Sequence, residues 1–569
     1  MNLLTSARAQ NDNRPTAPLR SPKRVMRLEP LGAAFPTRLS FMRTLIRDLN
    51  RAGAHIDRPV WEIDADGYGR AVYRVRAFGD TASLVAFSTP LAEEDRTDRV
   101  IAEAWDTSYV LYDGVPDSTE LDRLAANAPR QEAGRFTERD LVLSRANKSV
   151  RLFAHVADSL AQGRQPDIGM IRRIGYLMRT TAVYGNGKFG IADRARLQGR
   201  PLLDGPFRAE MLTVWLIRTF THDLVEHIAA ARAPDQAVAL APAIKHHLGI
   251  GNSTGLGMAP FLVSHPRLLN NWVHARETAL ARVRALPQAD LETRRRLEIL
   301  IQRVIAHLED WSVDDERQMH RIEKLRGECR AIAPVIARTL ASETYPFDRV
   351  IELSQAHSIE CQELVVALLL EPHGDLVDDL AAGMSDDLPD RLDPLMTVAR
   401  LRRLIENEWS FALAIDFTAP DETAQFWYVS EEKLEPRLGR RHEEDGADRE
   451  MPLDIARRVQ SLSAALAHAG RHETVAEFLL RHPEHRDAIR RVQALPRHPY
   501  AEIRDNLIAG TALPIDMLRA KLAFFGASKF DPRSTLWTRI TLYQGAALPD
   551  EIQNPDVDDW WLPVMEDAS

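Results

Sequence analysis

The sequence predicts a mainly α-helical protein with a small antiparallel β-sheet component, an α+β fold with a multi-helix core and two hairpin or meander segments. Three observations support this fold class. Apolar residues recur at helical spacing through most of residues 116–345. Between residues 60 and 88, alternating apolar segments are separated by Asp-Gly and Gly-Asp, which favour tight turns. Two further short apolar runs lie within residues 411–430.

Composition indicates a globular protein that acts away from membranes. Of the 569 residues, 45% are hydrophobic and 27% are charged, as in ordinary folded domains. The net charge of -9 is modest, so neither nucleic acid nor a membrane is an expected partner. No apolar run approaches the roughly 20 residues needed to span a bilayer. The two cysteines, Cys329 and Cys361, lack metal-site spacing, and we expect a cytoplasmic location.

Changes in composition divide the chain into four segments. The arginine-rich first segment is expected to be disordered or to dock as an arm, and the last ends in a tail with Trp560 and Trp561, whose burial we expect. Arm and tail are both candidate contacts for a homo-oligomer. The segments are the arm 1–30, an α+β segment 31–115, a helical region 116–345, and a second helical region 346–569 with a hairpin at 411–430.

The element predictions follow from local periodicity. Val60–Ile63, Ala71–Phe78 and Ser83–Ser88 are expected to form a three-stranded meander. The remaining predictions are helices at Asp140–Leu160, Ile168–Val183 and Pro206–Ala231, an apolar helix at Ile351–Leu370, and a hairpin of Phe411–Phe417 with Gln425–Ser430.

A glycine-rich stretch, residues 245–262, is the main candidate for a binding site. Glycine permits close approach to the main chain, and exposed amides in a loop can hold an anion. The pattern lacks the Lys-Ser or Lys-Thr of a phosphate loop. The alternative is a connection where two helices pack closely. The expected anion-binding residues are Gly251, Asn252, Ser253, Thr254, Gly255 and Gly257.

A second glycine-rich segment, residues 184–190, is expected to approach the first. Tyr184, Asn186 and Lys188 are its candidate ligand-binding side chains, and Lys245 would add positive charge from the first stretch. The competing interpretation is a helix stop followed by a new helix. Two such loops in one region raise the expectation that they meet at a pocket.

Histidines and a carboxylate near these loops are candidates for proton transfer. His222 and Glu226 are four residues apart on a predicted helix, and His246 and His247 precede the glycines. Histidine titrates near neutral pH, which suits general acid–base chemistry. The order of residues matches no zinc motif, so no metal ligands are predicted. The alternative is an acid–histidine pair on a helix surface.

These features favour an enzyme that acts on a small anionic molecule, carrying carboxylate or phosphate, by acid–base chemistry. Lyase, isomerase and hydrolase reactions fit equally, and no motif identifies a cofactor. A non-catalytic helical scaffold is the alternative, because long charged helices also suit an interaction protein. Nucleic-acid binding through the basic arm is a weaker third candidate.

Overall fold

A computed structural model describes most of the chain. The described residues are 15–33, 35–92, 104–130, 136–185, 188–189, 197–255, 266–385, 391–416, 427–429, 436–438, 449–450, 455–503, 514–533, 537–554 and 560–565.

A large mixed β-sheet organises the first and last parts of the chain. Nine of its ten strands follow the order β1-β2-β3-β4-β5-β6-β8-β13-β12, and β7 pairs with β6. All neighbours are antiparallel except β6 and β8, which are parallel. The strands are β1 (His55–Ile63), β2 (Gly69–Ala77), β3 (Asp80–Ser88), β4 (Thr107–Asp113), β5 (Asp140–Lys148), β6 (Tyr176–Gly185), β7 (Lys188–Phe189), β8 (Gly249–Gly255), β12 (Phe530–Pro532) and β13 (Trp537–Leu542). A separate small sheet contains β9 (Trp427–Val429), β10 (Pro436–Leu438) and β11 (Arg449–Glu450).

The predicted fold class is therefore wrong about the sheet, which is large and mixed instead of small and antiparallel. The meander is present as β1, β2 and β3, but the sheet continues through six further strands in its main path. The extension depends on long-range pairing: β8 lies beside β13, with Ile250 opposite Leu542. Local periodicity carries no information about a partner so distant in sequence.

Two predicted helices are each part strand and part helix. Asp140–Leu160 divides into β5 and the helix Phe153–Ala161. The strand was predicted as helix because nearly every residue of β5 is buried, so no alternation of apolar and polar residues marks it. Ile168–Val183 divides into the helix Ile168–Ile174 and strand β6. Gly175 ends that helix in the left-handed conformation at φ +77°, as is common at helix C-termini.

The helices cover the sheet and form a second core of their own. They are α1 (Pro22–Val25), α2 (Leu28–Ala33), α3 (Phe41–Arg51), α4 (Ser118–Asn127), α5 (Phe153–Ala161), α6 (Ile168–Ile174), α7 (Arg208–Arg232), α8 (Pro242–His247), α9 (Pro266–Arg284), α10 (Leu291–Asp310), α11 (Glu316–Ser342), α12 (Pro346–Ser354), α13 (Ile359–Leu370), α14 (Gly374–Val377), α15 (Val398–Glu408), α16 (Ser410–Leu413), α17 (Ile455–Ala467), α18 (Val475–Arg481), α19 (Arg486–Ala494) and α20 (Pro514–Phe525). None of the helices within the described ranges is long and apolar enough to cross a bilayer.

The long helix α7 lies on the sheet and is buried along most of its length. It packs against α5 and against strands from β3 to β8, and it buries Trp215 and Phe220 among other apolar side chains. This face of the sheet therefore belongs to the main hydrophobic core. Its burial excludes water from this face of the sheet. The opposite face of β2–β5 is also buried, in a smaller core against α4.

A second core forms between residues 396 and 501. Helices α15, α17 and α19 pack around Trp409 and Phe478. The predicted hairpin of residues 411–430 is wrong in its first arm, where Ser410–Leu413 is helical. Its second arm contains β9, whose partners are β10 and β11. A short apolar run fits a buried helix as well as a strand, which explains the error.

One side chain in each of the two segments that we considered as oligomer contacts is buried within the same chain. Arg20 is 8% exposed and its guanidinium binds Glu277 and Glu363. Trp561 is 1% exposed and donates a hydrogen bond to the Pro36 carbonyl at 2.5 Å. These side chains are therefore not available to a second copy in this structure.

Candidate functional site

The glycine-rich stretch that we interpreted as an anion-binding loop is strand β8. Gly251 and Asn252 are paired on both sides, with β6 on one and β13 on the other. The main-chain groups of an interior strand point at its neighbours, so these amides are not free to hold an anion. Between residues 249 and 255 the chain is a paired strand, so this part is not a loop between two packed helices either. Gly257 lies outside the described residues.

The glycines of β8 are required by close packing. A Cβ atom on Gly249 would lie 2.4 Å from the Leu542 carbonyl oxygen, and one on Gly251 would lie 2.8 Å from the Tyr176 ring. Neither distance can hold a side chain. Ser253 is buried, and Asn252 donates a hydrogen bond to the Thr180 hydroxyl at 2.9 Å. These residues fit strands together.

The second glycine-rich segment begins next to the first in the sheet. Tyr184 lies in β6, Lys188 lies in β7, and Gly185 pairs with Lys188. Strand β6 runs parallel to β8, which includes Thr254 and Gly255, so the two segments extend from neighbouring strands. The helix-stop interpretation of residues 184–190 is wrong where the main chain is described. Asn186 lies outside the described residues.

The predicted pair of His222 and Glu226 does not form. His222 is fully buried on α7, where burial holds its pKa well below the usual value. Glu226, one turn later, accepts hydrogen bonds from Lys245 Nζ at 3.2 Å and from the Leu240 amide. His246 faces Glu551 at 3.6 Å, and burial lowers its pKa too. Lys245 is therefore already neutralised, and these side chains make no common site.

The end of α8 is fixed by a buried arginine instead of a ligand. Arg218 donates to the carbonyls of His246, Leu248 and Ala546 at 2.6, 2.7 and 2.6 Å. These acceptors include carbonyls at a helix C-terminus, which have no partner within the helix. Burial lowers the pKa of Arg218 to about 9, and the carbonyl oxygens satisfy its donors. The basic stretch at residues 245–247 is therefore a structural corner.

A different set of residues surrounds a cavity of about 400 Å³ beside the β8 region. The turn after β5, helix α6, the segment after α10 and the two last strands of the sheet form its walls. Tyr176, the residue against which Gly251 packs, is part of the lining. Five lining residues are basic and two are acidic: Arg151, Arg173, Lys529, Arg533 and Arg539 against Asp314 and Asp531.

The charges inside this cavity are only partly neutralised by one another. Arg533 forms ion pairs with both acidic residues, including Asp531 at 2.5 Å. Arg151 and Arg173 are exposed at the opening. The lining therefore has an excess of positive charge, and an anion entering it would gain favourable electrostatic interactions in a partly desolvated space.

Lys529 and Asp531 are the two residues of the cavity lining whose pKa values are shifted toward neutral pH. Burial lowers the pKa of Lys529 to about 8, against the attraction of Asp310 and Asp531. Burial also raises the pKa of Asp531 to about 6. The Lys529 ammonium donates one hydrogen bond, to the Arg172 carbonyl at 2.7 Å. Perturbed pairs of this kind in a cavity are typical of sites for proton transfer.

No family model, no curated protein and no solved structure matches this chain. The chemistry of the cavity therefore has to carry any functional assignment.

One histidine that the sequence singled out lies behind this cavity. His247 Nε2 is 2.9 Å from the Gln544 amide nitrogen, and Ser528 donates to Gln544 Oε1 at 2.6 Å. Ser528 is the residue before Lys529. Burial, followed by the charge of Lys529, lowers the pKa of His247 to about 3, so its ring is neutral at ordinary pH. Its role here is to hold the wall in place through hydrogen bonds.

His307 completes this buried polar network. Its two ring nitrogens lie 3.1 Å from the Ser528 and Pro563 carbonyl oxygens. These acceptors favour a protonated ring, but burial prevails and lowers the pKa of His307 to about 4. The network connects helix α10 to the C-terminal residues and to the segment just before β12, which includes Lys529. It therefore fixes the position of the cavity's titratable pair.

Sequence reasoning missed Lys529 and Asp531. The available signal was weak: both residues alternate with Phe530, and Thr538–Leu542 has a strand-like composition. Neither run is long enough to distinguish a strand from a loop. Arg151 and Asp314, which line the same cavity, are hundreds of residues away in sequence, and only the folded chain brings them together.

The shifted pKa of Lys529 gives a direct prediction. An amine reacts with acetic anhydride only when neutral, so labelling of Lys529 should reach half its plateau near pH 8, against about 10.4 for an ordinary lysine. Competitive labelling followed by peptide mass spectrometry measures this, with exposed Lys324 as the internal reference. Equal titration of the two lysines would show that the Lys529 amine is fully hydrated.

Proposed function

We propose that this protein is an enzyme that binds a small anionic molecule in the Lys529 cavity and transfers a proton by general acid–base catalysis. The observation that carries the proposal is the position of Lys529, with a pKa lowered to about 8, inside a cavity rich in arginine. A carboxylate or phosphate group would be held by Arg151 and Arg173 at the opening. The reaction class, whether lyase, isomerase or hydrolase, stays open.

Lys529 would act as the general base. A neutral amine that donates one N–H to the Arg172 carbonyl keeps its lone pair for a substrate proton. Asp531 would stabilise the ammonium that forms, since its charge already raises the proton affinity of Lys529. Arg533 holds Asp531 in place through their ion pair. A base with a pKa near the working pH is effective because a useful fraction is neutral and still attracts a proton.

The test is a thermal-shift screen with phosphorylated and carboxylated metabolites, with and without divalent metal ions. A compound that binds only the folded state raises the melting temperature through linkage. We expect selective hits with the wild type and with an Arg338→Met control, whose arginine is exposed on α11. The double variant Arg151→Met/Arg173→Met should lose them. An absence of hits, or equal hits with the double variant, would reject the anion site.

A non-catalytic scaffold is the second candidate, and one observation favours it. An apolar groove of about 750 Å³ lies between α10 and α11, lined by residues such as Leu297, Ile301 and Pro334. Leu291 beside it is 75% exposed. Exposed apolar surfaces of this kind often mark protein contacts. An ordinary pKa for Lys529, together with a screen without hits, would favour this candidate over the enzyme.

A further inference from the structure

A separate group of metal-ligating side chains lies between α18 and α19, beside the second helical core. His482, Glu484 and His485 each present one ligand atom, and these atoms lie within 4.8 Å of one another. His482 Nδ1 is 3.3 Å from Glu484 Oε1, and His485 Nε2 is 3.7 Å from the same oxygen. The carboxylate therefore stands between two imidazole nitrogens.

We propose that His482, Glu484 and His485 form a binding site for a divalent transition-metal ion of the Zn²⁺ class. Zinc ligands at 2.0–2.1 Å in a tetrahedral arrangement lie about 3.3–3.4 Å apart. Both carboxylate–imidazole distances are close to that spacing. The third separation, between the two imidazole nitrogens, is no more than 4.8 Å, so a modest side-chain movement would bring all three ligands around an ion.

The local chain holds these ligands in position before any ion arrives. His482 follows the last residue of α18, and Pro483–His485 form a single 3-10 turn that leads into α19. Proline fixes its own backbone angle φ, which limits the freedom of this turn. The buried Phe478 ring stacks on both imidazoles, with ring centroids 4.8 Å from His482 and 6.0 Å from His485. Rotamers of both histidines are therefore restricted by packing.

The ligand set selects the class of ion. Two imidazoles and one carboxylate suit Zn²⁺ and its neighbours, whereas Ca²⁺ and Mg²⁺ prefer oxygen ligands alone. Three protein ligands leave one tetrahedral position for water or another molecule. A cavity of about 680 Å³ borders Glu484 and is lined by Arg391, Arg486 and Arg490, among others. That remaining position therefore has room for a water or an anion.

The site is tested with the full chain and with metal alone as the probe. Titration calorimetry should show one Zn²⁺ equivalent whose affinity is weakened or lost in the His482→Ala and Glu484→Gln variants. Losing even a residue that only supports a ligand typically weakens metal binding about 10–100-fold, so loss of a ligand should cost at least about tenfold. Binding of Co²⁺ should give the visible absorption of a four-coordinate ion in the wild type and not in the variants.

The matched control is His472→Ala, which removes an exposed histidine from the same helical core. It should retain the full Zn²⁺ affinity and the Co²⁺ spectrum. Both test substitutions replace partly or fully exposed side chains, and circular dichroism verifies that the variants fold. Equal Zn²⁺ affinity in wild type and both variants would overturn the proposal, as would a wild type that binds no Zn²⁺.

Discussion

Replacing Lys529 with methionine is expected to lower kcat/KM about 10²–10⁴-fold for the substrate class that the screen identifies, because that is the usual contribution of a general base. Methionine keeps much of the side-chain volume but cannot accept a proton. Lys529→Arg should lose as much activity, since an arginine stays protonated, while it retains the positive charge for binding. Steady-state kinetics measured with both variants separate catalysis from anion binding. Full activity in Lys529→Arg would exclude the lysine as a base.

The pH profile distinguishes the two roles that Lys529 can have. A base must be neutral, so kcat/KM should rise with pH through about 8, the value to which burial lowers its pKa. A lysine that only attracts the anion must be protonated, and kcat/KM would then fall through the same range. The bound anion also favours the ammonium form, so the ligand should move the titration of Lys529 to higher pH. A falling profile would assign Lys529 to binding alone.

The sequence predicted the parts of this fold that depend on near neighbours. Asp-Gly and Gly-Asp turns between alternating segments led to β1, β2 and β3, and the apolar stripe of α7 led to a helix. The glycine-rich stretch gave a wrong prediction of a loop. The absence of a side chain lets glycine line an anion site, and it also lets glycine fit between closely packed strands. Gly251 packs against the Tyr176 ring, and no local sequence pattern predicts this contact.

The candidate site could not be predicted for the same physical reason. Its walls come from residues 149–151, 170–176, 311–314 and 529–541, so each short piece carries little signal alone. The sequence analysis expected an anionic ligand at the glycines and lysines near residue 250. The proposed anion site is instead formed by arginines that lie elsewhere in the sequence. His247 is the predicted residue closest in its contacts to the cavity, through Gln544 and Ser528.

The basic N-terminal segment contains a buried arginine that its charge does not predict. Its arginines predict a disordered segment or a docking arm, and Arg20 is almost completely enclosed by acidic partners from α9 and α13. Arg276 joins them, 3.4 Å from Glu277 and 3.6 Å from Glu363. The result is a buried cluster of two arginines and two glutamates. The acidic partners are hundreds of residues away in the sequence, so the local sequence around Arg20 does not predict these ion pairs.

Replacing Arg20 with methionine is expected to destabilise the protein by about 3–5 kcal/mol, because removal of one partner leaves a buried charge without compensation. Arg20 binds Glu277 through two hydrogen bonds of 2.7 Å, and Glu363 through two of 2.9 and 3.5 Å. Urea denaturation measures the change in the free energy of unfolding. Arg27→Met, at an exposed position of the same segment, should change it by less than about 1 kcal/mol. If both variants lost a similar free energy of unfolding, the effect would come from packing of the segment and not from the Arg20 ion pairs.

Stability of the wild type should also depend on pH through this cluster. Although burial raises the pKa of Glu277, its two arginine partners outweigh burial, and the net pKa is lowered. A carboxyl whose folded-state pKa is below its unfolded value stabilises the fold above the unfolded pKa, near 4.3. That stabilisation is lost as the pH falls through the folded-state value. Arg20→Met removes the strongest of these attractions, so its deficit relative to wild type should be largest near neutral pH and shrink in acid. A deficit that stays constant across this range would mean that Arg20 acts by packing rather than by charge.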